Sequence, residues 1–356
     1  MGASNEKGAW LDLSSRSPLR VVSIGGGNGL STLLKGLKEY SHVHAQLSPP
    51  HPLIDITAVV TVTDDGGSSG RLRREFDVLP PGDIRNCMVA LAEDEGLLTR
   101  LFSFRFDSGR GLRGHSFGNL FLTVMSQVTG DFSQAVRLSS EVLAIAGRIY
   151  PSTSAQVTLR AHLEGGEIVD GESRISRSTV PIRRIELLPG GCLPLQETLK
   201  AIREADLITL GPGSLFTSVV PNLLVQGIPA AIRRSKALKA CFVNLMSQPG
   251  ETTGLTASEH VKAICDHAGA RVVDVAVLNN SPVTAPARRR YARESAVPVV
   301  NDLDAIRAMG IEVACTPLIE VGEKVRHNPA AAGRVALQLA KRGRRARLNL
   351  LKKRSS

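Results

Sequence analysis

Aromatic residues are scarce in this chain: one Trp, three Tyr and nine Phe among 356 residues, or 4%. Few ring faces are therefore available for stacking bases, which weighs against a single-stranded nucleic-acid binder built on aromatic platforms. No uninterrupted apolar run reaches the ~20 residues that a spanning helix requires. The stretch from Met1 to Pro18 is polar and lacks the apolar segment of a secretory signal. Cysteine is sparse as well. Cys87, Cys192, Cys241, Cys265 and Cys315 are widely spaced, odd in number and free of any CxxC pair. That pattern argues against a disulfide framework or a zinc site and predicts reduced thiols in the cytoplasm. His42, His44 and His51 fall in a Pro-rich polar connection and do not form a recognisable ligand set.

Acidic residues are missing from one place in particular. From Lys341 onward there are eight basic residues and no acid, and without them the formal charge of +11 falls to +3. The excess charge is thus local. The expectation is a disordered basic tail over 341–356, with only weak attraction for nucleic acid or acidic surfaces. The remainder, 42% hydrophobic with mean hydropathy +0.01, reads as an ordinary globular body.

In that body, apolar β-branched runs alternate with helical spacing. Leu19 to Ile24 reads as a strand that stops at Gly25-Gly26-Gly27-Asn28-Gly29, and Leu30, Leu33, Leu34 and Leu37 then recur as on one helix face. Ile56 to Val62 reads as a second strand, and Leu207 to Leu210 as another. Strands are also expected near 229–233, 240–245, 272–278 and 312–314, with mostly helical stretches over 84–105 and 116–148. Gln156 to Leu163 and Glu167 to Ile175, joined at Gly165-Gly166, predict a β-hairpin to which Ile182 to Leu188 adds a strand. Together these predict an α/β fold, a Rossmann-like, doubly wound and mostly parallel sheet with a small antiparallel excursion at about 153–188. The domain is expected over 19–335, after a disordered leader over 1–18.

Three glycine-bearing loops follow predicted parallel strands, and so share one edge of the sheet, where ligands of such folds bind. The first resembles a phosphate-binding turn, with Gly27, Asn28 and Gly29 at a helix N-terminus. It is not a dinucleotide fingerprint, because Leu30 stands where the third glycine would be, and no Gly-Lys-Ser/Thr makes it a Walker loop. The second, Thr63-Asp64-Asp65-Gly66-Gly67-Ser68-Ser69-Gly70-Arg71, offers two carboxylates for Mg²⁺ or a ribose and a guanidinium for an oxyanion. The third, Gly211-Pro212-Gly213-Ser214, continues to Thr217 and Ser218 and could hold a diphosphate, or be an ordinary turn capped by Ser214. Further candidates are Asp83, Arg85 and Asn86 at one helix start, His115 and Asn119 at another, and Asn244 with Gln248 to Thr252 after a strand. No nucleophile–base–orienter set stands at recognisable spacing. The pattern favours a nucleotide-type ligand.

In their order along the chain, these blocks resemble the YvcK-type gluconeogenesis factors, bacterial proteins related to 2-phospho-L-lactate transferase (the CofD fold). The resemblance spans roughly residues 19–330. It implies binding of UDP-sugars such as UDP-N-acetylglucosamine, with a regulatory link from central carbon use to cell-wall synthesis and cell shape. It also implies that Tyr291 and Arg326 contact the UDP-sugar, Arg326 being followed by His327 and then Asn328 where an acidic residue is usual. By analogy with the transferase, Asp64 and Asp65 are expected to hold Mg²⁺ if a phosphate-bearing group is transferred from a nucleotide donor. Protein partners in cell-wall synthesis and assembly as a homo-oligomer are expected.

Overall fold

In the computed structural model the described residues are 17–44, 51–93, 96–322 and 324–355; the leader is thus outside them as far as residue 16. The chain builds a seven-stranded, fully parallel sheet from β1 (Leu19–Gly25), β4 (Ile54–Val60), β5 (Arg148–Pro151), β9 (Leu207–Leu210), β10 (Leu238–Phe242), β11 (Val275–Asn279) and β12 (Glu312–Thr316). Its order is β12-β11-β10-β9-β1-β4-β5. Two-residue strands β2 (Val43–His44) and β3 (His51–Pro52) pair beside it. β6 (Thr158–Leu163), β7 (Ile168–Asp170) and β8 (Ile182–Leu188) form the antiparallel excursion, with β6 central. β13 (Ile319–Val321) and β14 (Val325–His327) make a final hairpin.

The central strands are apolar on both faces because helices cover both. In β4 every residue but Asp55 is buried, as expected of a parallel strand inside an α/β layer. Helix α1 (Gly27–Lys38) covers one face with Leu30, Leu33, Leu34 and Leu37, all fully buried. Each such side chain stabilises the fold by roughly 1.5–3 kcal/mol relative to exposure. The C-terminal helix Pro329–Ser355 crosses α1 with Gly36 against Gly333, where a Cβ on either would collide with the other's backbone. Asn328 Oδ1 accepts from the Ala331 amide at 2.8 Å and caps this helix. The asparagine that departs from the resembled pattern thus performs a job an aspartate could also do.

Several expectations are corrected. The basic segment from Lys341 is not a disordered tail, since the helix runs on to Ser355. Arg342 pairs with Glu312, while Arg344 and Arg347 converge on the fully buried carboxylate of Asp206. The positive charges there neutralise acids of the body, which a count of the tail alone cannot reveal. Residues 229–233 belong to a helix, Ile228–Arg234, with Pro229 in its first turn. The helical stretch expected to 148 ends at Val142, and β5 follows as an edge strand. The hairpin's second strand stops at Asp170. Gly171, at φ +97°, turns the chain into the one-turn helix Glu172–Ile175. All five cysteines are free, three of them buried. Among the described residues no single helix is long and apolar enough to cross a membrane, and the one bent pair that might by composition contributes buried core residues.

Candidate functional site

The sheet changes winding direction between β1 and β9: β4 and β5 follow β1 on one side, and β9 to β12 continue on the other. At such a switch point the loops beyond the strand ends diverge and leave a crevice. Here the loop after β1 and the loop after β9 touch backbone to backbone. A Cβ on Gly29 would lie 2.6 Å from the Gly213 Cα, so both positions must be glycine for the loops to meet. Gly27 at φ +60° opens α1, whose N-cap residue Gly26 has no side chain to satisfy the first-turn amides. These amides and the helix dipole attract an anion.

The crevice has a volume of about 460 Å³, within the range of small-molecule sites. One wall is Gly26 to Gly29 with Thr32; the facing wall is Pro212, Gly213, Ser214, Thr217 and Ser218. Asn244 to Gln248 complete the lining with the carboxyls Asp64, Asp83 and Glu172 and, from the C-terminal part of the chain, Tyr291 and Arg326. After Ser214 the chain makes a wide π-turn over Leu215–Val219 rather than a capped α-helix, a distortion often found at functional sites. Ser214 caps nothing; its Oγ accepts from Gln248 Nε2 at 2.8 Å. Behind this turn the buried Glu251 accepts from the Phe216 amide at 3.3 Å and Thr217 Oγ1 at 3.0 Å. Burial raises the Glu251 carboxyl above the usual range. The Gln248–Thr252 stretch thus supplies both a wall residue and the strut that holds the third loop.

Tyr291 has its hydroxyl committed: Oη accepts from the Val325 amide at 2.8 Å, bracing the strand that carries Arg326. Its ring remains on the crevice wall, with the Arg290 guanidinium 5.8 Å from its centre. Arg326 is exposed, while its neighbour His327 is buried and held down to about 4 by that burial, hence neutral.

The second loop divides its residues. Asp64 lines the crevice, with Oδ1 accepting from the Gly66 amide at 2.9 Å. Asp65 turns away, and its Oδ1 accepts from the Ser173 amide at 2.8 Å. The pair therefore does not form a two-carboxylate metal clamp, and no cluster of three or more ligating side chains occurs among the described residues. Asp64 alone can offer Mg²⁺ a carboxylate beside ligand phosphates, the usual Mg²⁺ arrangement. Ser68 and Ser69 are buried behind the loop, Ser68 Oγ 2.9 Å from His115 Nδ1 and Ser69 Oγ 3.5 Å from Asn119 Nδ2. Arg71 donates to the Arg113 carbonyl at 2.8 Å. Thr63 is buried and donates to the Thr217 carbonyl at 3.4 Å. Burial, and then Arg71, lower His115 below the usual histidine range. Thr63, Ser68, Ser69, Arg71 and Asn119 thus do not line the crevice and hydrogen-bond within the protein, and Asn86 lines a neighbouring cavity.

Glu172 was not apparent from sequence because it belongs to the β excursion and reaches the crevice only through the turn at Gly171. Burial drives its carboxyl up to about 7, with Asp64, Glu251 and Asp65 adding to the effect. Burial likewise raises Asp83 to about 7, and Asp64 adds to it, although the Gly27 amide donates to the Asp83 carboxylate. These acids keep protons that the unfolded chain, with carboxyl pKa values near ~4, gives up. Their contribution to stability is therefore full below about pH 4 and is lost as the pH rises through about 7. Asp83→Asn removes one of the two groups, so melting temperatures of the ligand-free protein between about pH 5 and pH 8 are expected to fall less steeply than in wild type. Equal slopes would refute the assignment of a shared proton load to Asp83.

A Rossmann-like α/β protein with a polar crevice at its switch point is the class that fold and site define. The family model for 2-phospho-L-lactate transferase CofD matches residues 21–319. A gluconeogenesis factor from Halalkalibacterium halodurans is 45% identical, over 89% of this chain and 95% of its own length. One from Bacillus subtilis is 44% identical, over 90% of this chain and 98% of its own. The crystal structure of a UPF0052 family member from Bacillus halodurans superposes with a TM-score of 0.85 at 44% identity, covering 90% of this chain and 99% of that one. The chain belongs to the CofD family, and within it to the gluconeogenesis factors.

Proposed function

We propose that this protein binds a UDP-sugar of the UDP-N-acetylglucosamine type and acts as a cytoplasmic regulator, reporting cell-wall precursor supply to the enzymes of central carbon and cell-wall metabolism. The observation that carries this reading is the meeting of two glycine loops at the switch point in a crevice that Tyr291 and Arg326 also line. The first turn of α1 after Gly27, which the N-cap residue Gly26 cannot cap with a side chain, suits a diphosphate. Arg326 can fork onto its oxygens, and the Tyr291 ring offers a face to uracil or sugar. The amides of Asn244 and Gln248 supply donors and acceptors for a base or a hexosamine. Binding groups abound in the crevice lining, whereas the hydroxyl–imidazole pair of Ser68 and His115 is buried behind the second loop, outside that lining.

A second reading is a transferase. It is favoured by the three carboxyls Asp64, Asp83 and Glu172 in the lining of the crevice, and by the name of the family, although fold kinship does not carry a reaction across. The two separate on Asp64→Asn. In the regulator, nucleotide incubated with Mg²⁺ is recovered intact from wild type and variant alike, and affinity changes only modestly. A transfer product formed by wild type and absent with Asp64→Asn would overturn the regulator reading.

A further inference from the structure

A second cavity, of about 700 Å³, lies beyond the N-terminal turn of α1 and shares Asn28, Thr32, Arg326 and His327 with the crevice. Its character is different. Lys35, Lys38, Arg85, Arg105 and Arg326 line it, against a single carboxylate, Glu320. Lys38 is buried, with Nζ donating to the Ala92 carbonyl at 2.9 Å, so its charge is fixed in the wall.

Arg85 is the key residue. Its stem packs across Gly118 of helix Phe117–Thr129. Its Nη2 donates to Asn86 Oδ1 at 2.5 Å, but its Nε is buried with no hydrogen-bond partner. Asp83 and Asp64 attract this guanidinium from the crevice side, whereas Arg105 repels it. Arg105 itself spends Nη1 on the Gly114 carbonyl at 2.6 Å. Two guanidiniums on the wall of one cavity, in mutual repulsion, would both be relieved by an oxyanion between them, held by their terminal nitrogens because the Arg85 Nε is closed off from the cavity. A dianion matches the charge surplus better than a carboxylate, and the volume leaves room for more than a bare phosphate.

We infer that this cavity binds the phosphoryl group of a small phosphorylated metabolite, separately from the nucleotide-sugar crevice and next to it across Arg326. Arg85 and Arg105 hold the phosphoryl oxygens, with the Asn86 amide and the Ser103 hydroxyl at the same wall. The inference goes beyond the function proposed above, because a ligand here is a second input to the same protein.

The test is a calorimetric titration of the full chain with inorganic phosphate, at ionic strength held constant with chloride. Arg105→Gln alters an exposed side chain and leaves the fold intact. Arg85→Lys retains stem and charge and loses only the fork. Saturable binding is expected in wild type and in Asn244→Ala, which alters the crevice lining but not this cavity, and is weakened about tenfold by each of the two arginine changes. No saturable binding, binding unaffected by both arginine changes, or binding lost only in Asn244→Ala would overturn the inference. UDP-N-acetylglucosamine titrated into the same wild-type sample reports on the crevice independently. Failure of that titration counts against the proposed function, and failure of the phosphate titration counts against the second site.

Discussion

Arg326→Ala is expected to weaken UDP-N-acetylglucosamine binding roughly 30- to 700-fold, the equivalent of about 2–4 kcal/mol, as for loss of one partner in a charged, hydrogen-bonded pair. The melting temperature of the free protein should barely move, because Arg326 is exposed. Arg326→Lys should fall between the two, since an ammonium supplies charge without the planar fork that matches a diphosphate. The separation matters: a large loss of affinity with an unchanged fold assigns Arg326 to the ligand. A fall in stability of similar size would make it a structural residue of the β13–β14 hairpin instead. Competitive displacement of a labelled UDP-sugar, with thermal melts run on the same preparations, checks both halves.

The second large effect concerns stability. Asp206 is fully buried, and its carboxylate accepts from Arg344 Nε at 2.8 Å and Nη2 at 2.6 Å, from Arg347 Nη2 at 2.9 Å, and from the Arg20 amide at 2.9 Å. Removing both arginines leaves an ion in the core with one amide for company. The double change Arg344→Ala with Arg347→Ala should therefore cost about 3–5 kcal/mol, the usual penalty for breaking a buried pair on one side. Adding Asp206→Asn to that background should recover part of the loss, because a neutral amide tolerates burial better than an unpaired carboxylate. Denaturant melts give the numbers. A change below about 1 kcal/mol would mean that the helix end is a dispensable appendage, as its composition first suggested.

That contrast shows where the sequence was legible. Strands β1, β4 and β9 could be read because each is a run of β-branched or aliphatic residues ending abruptly in glycine or a polar turn. Their neighbouring positions put all three glycine loops at one end of the sheet. The crevice residues Gly27, Asn28, Gly29, Asp64, Asp83, Gly213, Ser214, Thr217 and Asn244 follow from that reading, whereas Tyr291 and Arg326 came from the family resemblance alone. What could not be read is which side chain of a polar loop faces the crevice. Asp64 and Asp65 are chemically identical neighbours, and only the position of the Ser173 amide turns one inward and the other away. Ser68, Ser69 and Arg71 have the composition of ligand contacts but do not line the crevice, and each is placed beside a hydrogen-bonding partner within the protein. Glu172 is separated from the other crevice residues by most of the antiparallel excursion, so no local pattern could bring it there. The basic C-terminal helix was hidden for a related reason: its partners, Asp206 and Glu312, lie more than a hundred and about thirty residues earlier, respectively.

The most direct measurement is a calorimetric titration of the full chain with UDP-N-acetylglucosamine, with and without Mg²⁺, followed by recovery of the nucleotide. The regulator reading predicts saturable one-site binding, a steep loss of affinity in Arg326→Ala, and intact ligand at the end. Absence of binding, or release of a cleaved nucleotide from wild type, would contradict it.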